Sequence, residues 1–375
     1  MADFTVDVSG LAGFKLDLQN LGAHFTTNAG RLLPSIAVPG GTAGLMATLA
    51  VSIDKFSSAI SSAQQKDLAA VGTLDENLST ASTKYLATDD NSADRLTAAA
   101  VAGLGNAGTS SSNSAQGAKR FSGLQLPTLP DVQDEQYTTR QIVTAGINSI
   151  SRYDEALSQA IGVKPAADYL SPLEADWERV QAIGKRIGLL GINDYVTSEN
   201  LTAGTRWLQS LWSGDAAQAF ATSANSLGQS IAGRSNDLET ISKIVENGGA
   251  VLERLVFNQA MGLSSGLAQP MTFLNFTLPL GQWAQLINDP MRDSIRSEIT
   301  AAVDTLKQSA ESRKGELNTM ITRLSKALDY APGQTTPSYN ASEFEVPEKL
   351  VVDLGVLRYG YGDNIWWESS IASAG

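Results

Sequence analysis

Cysteine is absent from the chain and histidine occurs once, as His24. The first absence excludes a disulfide framework, thiolate zinc sites and a cysteine nucleophile, and it leaves the compartment open, because export without disulfides is common. The second excludes a His-rich metal site, and neither a metal nor another cofactor is expected. Positive charge is scarce as well. Lys and Arg number 27 against 39 Asp and Glu, a formal net charge of -12 over 375 residues, and no block of basic residues occurs. Phosphate backbones and anionic membrane surfaces demand the opposite balance, so nucleic acid is not an expected partner. No uninterrupted apolar run reaches spanning length. Residues 255 to 288 carry no charged side chain, yet Asn258, Gln259, Gln269, Pro270, Asn275, Pro279 and Gln282 break them up, so no transmembrane segment is expected. The opening MADFTVDVSG has neither a basic n-region nor an apolar h-region, so a conventional signal peptide is not expected either.

Catalytic constellations are equally thin. His24 falls near the apolar seam of a helical stretch and reads as a packing or surface histidine, which leaves serine without a base. Gly40, Gly41 and Gly44 form a Gly-rich turn, but no strand precedes it and no Lys-Ser/Thr follows, so a hairpin turn is expected there, not a phosphate cradle. Asp75/Glu76 and Asp89/Asp90 are adjacent pairs, and adjacent residues do not share a helix face. The chain is expected not to be an enzyme.

Helical periodicity is what the sequence does contain. Leu11, Phe14, Leu18, Leu21, Phe25 and Leu32 follow the three-four spacing of one buried seam, and Pro34, Pro39, Gly40 and Gly41 then force a turn. A second stripe runs through Leu49, Ile53, Phe56, Ile60 and Ala63 and, after a phase adjustment, through Leu74, Leu78, Ala81 and Tyr85. Helices joined by so short a turn pack antiparallel, so residues 1–90 are expected to form a helical hairpin. In residues 91–118, 22 of 28 positions are Ala, Gly, Ser, Thr or Asn, and Pro127 and Pro130 follow, which predicts a flexible linker over 91–135. A short helix follows, marked by Ile142, Val143, Ile147 and Ile150.

Ser171-Pro172-Leu173-Glu174 has the order of a helix start, Ser at N-cap, Pro at N1 and Glu at N3. The helix beginning there runs to Trp212-Ser213-Gly214, and its partner carries Phe220, Ala224, Leu227, Ile231, Leu238, Ile241, Val245 and Leu252, interrupted by Arg234. A long coiled-coil-like helix then carries Ile295, Ile299, Val303, Leu306, Leu317, Ile321, Leu324 and Leu328. The expected fold class is all-α: an elongated bundle of two antiparallel hairpins, a helical domain over 136–330 and a short irregular tail over 331–375, with a β-like run at 350–352.

A Trp-x-Gly turn at the tip of a helical hairpin of this size resembles the Trp-x-Gly (WXG) substrates of actinobacterial type VII (ESX) secretion. The stretch DWERVQAIGKRIG…NLTAGTRWLQSLWSGDAAQAFATSANSLGQSI carries the residue-level likeness, and the first hairpin is similar to the PE- and Esp-type hairpins. Together they resemble fused PE-PPE-like, Esp-type proteins. The resemblance implies a composite export signal, in which a Tyr-x-x-x-Asp/Glu motif after one hairpin lies beside the Trp-x-Gly turn of the other. Tyr85 with Asp89, and Trp212 with Gly214, fit those places. Chance alone gives about one Tyr-x-x-x-acid match in this composition, and four occur: Tyr85/Asp89, Tyr195/Glu199, Tyr339/Glu343 and Tyr359/Asp363. Tyr359 and Asp363, in the tail, are the alternative signal. Tyr85 also continues a buried stripe and Trp212 could plug a bundle end, so a purely structural reading stays open.

The resemblance further implies a non-enzymatic, virulence-associated protein made in the cytoplasm and exported folded to the cell surface or beyond. Its implied partners are the type VII export ATPase, a cytosolic secretion chaperone and a second copy of the chain. For the chaperone, Phe257, Met261, Met271, Phe273, Phe276 and Trp283 form a candidate apolar tip, with packing back onto the bundle as the alternative. Three other functions compete: the delivery part of a type VII toxin, for which about 45 residues after Tyr330 are too few to add a catalytic core, an enzyme whose site lies between the hairpins, which would need converging polar groups, and a cytosolic coiled-coil scaffold.

Overall fold

The computed structural model describes residues 5–103, 118–133 and 138–345, with the backbone alone over 89–103. It is an all-α protein. Its helices are α1 (Val8–Leu32), α2 (Gly44–Gly103), α3 (Thr139–Ile150), α4 (Asp154–Ile161), α5 (Glu178–Gln209) and α6 (Asp215–Ala268). A two-stranded antiparallel sheet follows, β1 (Pro270–Phe273) with β2 (Phe276–Pro279), and then α7 (Leu280–Gln285) and α8 (Asp293–Leu328). Among the described residues no helix is long and apolar enough to cross a membrane.

Two compact units divide the chain, and neither follows the sequential domains expected from composition. One draws on Met1–Leu33, Ile60–Pro130 and Leu189–Leu238, the other on Pro34–Ala59, Asp131–Gly188 and Glu239–Gly375. In the first unit α1 runs antiparallel to α2, with Lys15 Nζ 3.2 Å from Ser79 Oγ and Gln19 Nε2 3.1 Å from Asp75 Oδ1. Leu11, Phe14, Leu18 and Leu21 face Leu74 and Leu78 there, together with Leu201, Leu208, Phe220 and Ile231 from α5 and α6. The seam of α2 needs no phase adjustment. Ile60, Gln64, Asp67, Val71, Leu74 and Leu78 keep an unbroken four-three spacing and all are buried. Two of its core positions are simply polar.

The expected linker over 91–135 is corrected at both ends. α2 continues to Gly103, because a stretch rich in alanine has high helix propensity as well as small side chains. Residues 118–130 are packed within the first unit: Lys119 N donates to Ser9 O at 2.9 Å, and the Asp17 carboxylate accepts from Arg120 Nε at 2.5 Å and Phe121 N at 2.8 Å. Gly13 makes this possible, since a Cβ there would lie 1.7 Å from Lys119 O. His24 lies on this surface with Nε2 2.9 Å from Pro127 O.

In the second unit the helix expected at Ser171 starts later, at Glu178. Residues 171–173 form only a 3-10 turn, and Glu174, at ψ 78, leaves the helical region. Glu178 instead serves a different helix. Its buried carboxylate accepts from Thr138 N and Thr139 N, both at 2.7 Å, and from both threonine hydroxyls, so it satisfies the orphan donors at the start of α3. α6 and α8 are antiparallel, with Gln259 Nε2 donating to Ala310 O at 3.1 Å. After α8 the described part of the tail folds back: Tyr339 stacks on Phe344 at 5.5 Å, and Arg323 Nε lies 3.1 Å from Glu343 Oε2. The β-like run at 350–352 lies outside the described residues.

Candidate functional site

α5 ends at Gln209 and α6 starts at Asp215, so the Trp-Ser-Gly triplet occupies the turn between them. Gly214 has φ +102, a conformation that side chains disfavour, and this fixes glycine as the third residue of the motif. Residues 5–7 run along the same turn. Val6 forms an antiparallel bridge with Trp212, Asp7 N donates to Leu211 O at 2.9 Å, and Ser213 N donates to Thr5 O at 2.9 Å. Asp7 then caps α1 by accepting from Ser9 N at 3.0 Å and Gly10 N at 3.3 Å. The Ser9 hydroxyl, these backbone donors and the charge of Lys119 hold its carboxyl below the usual carboxylate range despite some desolvation.

Trp212 is 4% exposed. Its indole Nε1 donates to Tyr85 Oη at 3.2 Å, and the two rings meet edge to face with centroids 6.5 Å apart. Phe220 closes the other side of the indole at 5.8 Å, and Phe14, Trp207 and Phe121 continue the aromatic layer. The structure thus brings together Tyr85, Trp212 and Gly214 of the expected signal. Position 89 is one turn beyond Tyr85 on α2, and the side chain of Asp89 lies outside the described residues. Tyr85 is half-buried, while Leu86, next to it, is 51% exposed.

The other Tyr motifs fall in different settings. Tyr195 and Glu199 are both exposed on α5, Tyr339 and Glu343 are engaged by Phe344 and Arg323, and Tyr359 and Asp363 lie outside the described residues. The apolar tip is corrected in part. Phe257, Phe273 and Trp283 are buried, Met261 and Met271 are half-buried, and only Phe276 stands out, 67% exposed. Trp283 is the reason, because its ring packs edge to face on Phe273 at 5.1 Å and its Nε1 donates to Met271 O at 2.8 Å, which folds the β-hairpin down onto α7. Leu274, at φ 53 and 58% exposed, joins Phe276 at the hairpin tip.

The first unit also holds a buried charged cluster that is not among the expected site residues. Arg234 on α6 donates from Nε and Nη2 to the two oxygens of Asp194 on α5, at 2.7 and 3.1 Å, and its Nη1 lies 2.5 Å from Asp67 Oδ2 on α2. Burial raises the pKa of Asp67 against the attraction of Arg234, and it pushes Asp194 up to about 6 against the Arg234 hydrogen bonds. Burial also opposes the charge on Arg234, but the two carboxylates outweigh it and raise its pKa. The break in the α6 apolar stripe at Arg234 was the visible signal. Among the described residues no three His, Asp or Glu side chains are grouped to hold a metal ion. Compared with protein-family models, curated proteins and solved structures, the chain finds no match.

Proposed function

We propose that this chain is a non-enzymatic substrate exported folded by an actinobacterial type VII (ESX) secretion system, acting afterwards at the cell surface or outside as a structural or interaction protein. The observation that supports this reading most is the meeting of Tyr85 and Trp212. They stand 127 positions apart, on α2 and on the turn after α5, and the Trp indole donates to the Tyr hydroxyl. A composite signal of that kind needs both elements folded and docked, so the export machinery would receive an assembled bundle. Trp212 is too buried to be read directly. Its part is to fix Tyr85, while the exposed edge of α2 around Tyr85 and Leu86 meets the export ATPase. A secretion chaperone would find only Phe276 and Leu274 exposed at the hairpin tip, with the other candidate side chains buried or half-buried.

The test is the ratio of culture-filtrate to lysate protein for wild type, Tyr85→Ala, Trp212→Ala, Tyr195→Ala and Tyr359→Ala, in strains with and without a working type VII apparatus. Export that requires the apparatus and is lost with Tyr85→Ala, while folded protein accumulates inside, is the expected result. Retention of wild type inside every strain would favour the cytosolic scaffold. Loss with Tyr195→Ala or Tyr359→Ala alone would move the signal to that residue.

A further inference from the structure

Three helices of the first unit place a charged residue at a core position of one layer. On α2 the buried series is Ile60, Gln64, Asp67, Val71; on α6 it is Ile231, Arg234, Leu238; on α5 Asp194 lies between the buried Leu190 and Leu201. One guanidinium is shared by two carboxylates, and Asp194 is fully buried while Arg234 is 4% exposed. With both carboxylates ionised the layer holds one uncompensated negative charge in a desolvated place, where such a charge is costly. The groups that bear on Asp194 are Arg234 from α6 and Asp67 and Gln64 from α2. α1 meets α5 beside it with a neutral group, Asn28, whose Nδ2 donates to Asn193 Oδ1 at 3.0 Å.

We infer that the Asp67–Arg234–Asp194 layer is an acid-strengthened clasp: uptake of one proton removes the buried excess charge and tightens the first unit as the medium becomes mildly acidic. The sign follows from linkage. A carboxyl whose folded pKa is raised binds its proton more readily in the folded state, so stability grows as pH falls from above the folded value towards the unfolded one. With Asp194 at about 6 folded and 3.8 as the ordinary value, the folded-to-unfolded ratio rises about tenfold between pH 7 and pH 5. This inference does not rest on the export reading.

The experiment is hydrogen–deuterium exchange of the full chain at pH 7 and pH 5, corrected for the intrinsic exchange rate, on peptides covering residues 60–71, 189–201 and 228–238. Protection there should rise about tenfold at pH 5 in wild type. In Asp194→Asn, which stays neutral at both pH values, the rise should vanish, and in Glu298→Gln, an exposed control that removes the same charge, it should persist. Equal or lower protection at pH 5 in wild type overturns the clasp, and it does so even if Asp194→Asn fails to fold. An undiminished rise in folded Asp194→Asn overturns it as well, by assigning the effect to the net charge of the chain.

Discussion

The contact between Tyr85 and Trp212 can be weighed by a double-mutant cycle with Tyr85→Phe and Trp212→Phe. Tyr85→Phe removes only the oxygen that accepts from Trp212 Nε1 at 3.2 Å and keeps the edge-to-face ring pair. Trp212 is 4% exposed, so its indole N–H is left with poor access to water. A net hydrogen bond contributes about 0.5–1.5 kcal/mol, and a stranded buried donor costs about 1–3 kcal/mol; the long distance argues for the lower part of both ranges, giving about 1–2 kcal/mol. Trp212→Phe removes the same bond together with part of the indole packed between Tyr85 and Phe220, so it should cost more, about 2–4 kcal/mol. Each single change destroys the hydrogen bond, and the double variant can lose it only once. Its cost should therefore fall short of the sum by about 0.5–1.5 kcal/mol. The assay is native-state hydrogen exchange on peptides covering residues 78–88 and 208–220, which reads local opening without requiring the two units to unfold together. A coupling within about 0.3 kcal/mol of zero, the scatter of independent sites, would show that the two side chains do not interact, and the composite arrangement would lose its physical basis.

In the second unit, Glu178→Gln should cost about 1–2 kcal/mol, because an amide oxygen can still accept at the start of α3, whereas Glu178→Ala strands the Thr138 and Thr139 donors and should cost about 3–5 kcal/mol; equal urea midpoints for the two variants would contradict this. Gly13→Ala puts a Cβ 1.7 Å from Lys119 O, so residues 118–124 should exchange faster, and an unchanged rate would mean the segment is not docked as described. Asp7→Ala should cost about 0.5–2 kcal/mol at pH 7 through the lost α1 cap. Because the Asp7 pKa is lowered on folding, its contribution is present above the ordinary carboxylate value and fades as pH falls through the folded one, so wild type and variant should converge in an acid titration by circular dichroism. Phe276→Asp should change thermal stability by less than about 0.5 kcal/mol, while Phe273→Ala should cost about 3–5 kcal/mol, in keeping with their opposite exposures.

Where a helix buries one apolar face, its path was readable. Leu11, Phe14, Leu18, Leu21 and Phe25 are all at most 2% exposed, as their spacing required, and Leu49, Ile53, Phe56 and Ile60 are fully buried. The apolar pattern breaks where the buried face turns polar. Gln64 and Asp67 hold core positions of α2, so a pattern built on apolar residues alone implies a phase shift that the helix does not have. Composition misled in another way after residue 90. Alanine grouped with glycine and serine suggests flexibility, whereas in a chain already helical it extends the helix. The β-hairpin at 270–279 escaped because its turn, Leu274-Asn275, takes two positive φ angles without a glycine to announce them.

Half of the candidate site was legible, and the division between the halves bears on how it would work. Trp212 and Gly214 carry side-chain and backbone demands that a motif records. The segment of residues 5–7 holds the same turn largely through backbone hydrogen bonds, which leave almost no mark on residue type. The Trp-Ser-Gly turn is therefore covered from two directions, by Tyr85 on one side and by residues 5–7 on the other. A partner that recognised Trp212 itself would have to displace one of these covers, at the cost of a buried indole and of backbone bonds to Leu211 and Ser213. A partner that reads the rim left exposed around Tyr85 and Leu86 meets no such barrier. On the proposed export reading, a Trp212 substitution should therefore act only as far as it loosens Tyr85, and a variant such as Trp212→Phe that keeps the ring pair should be exported more nearly like wild type than Trp212→Ala.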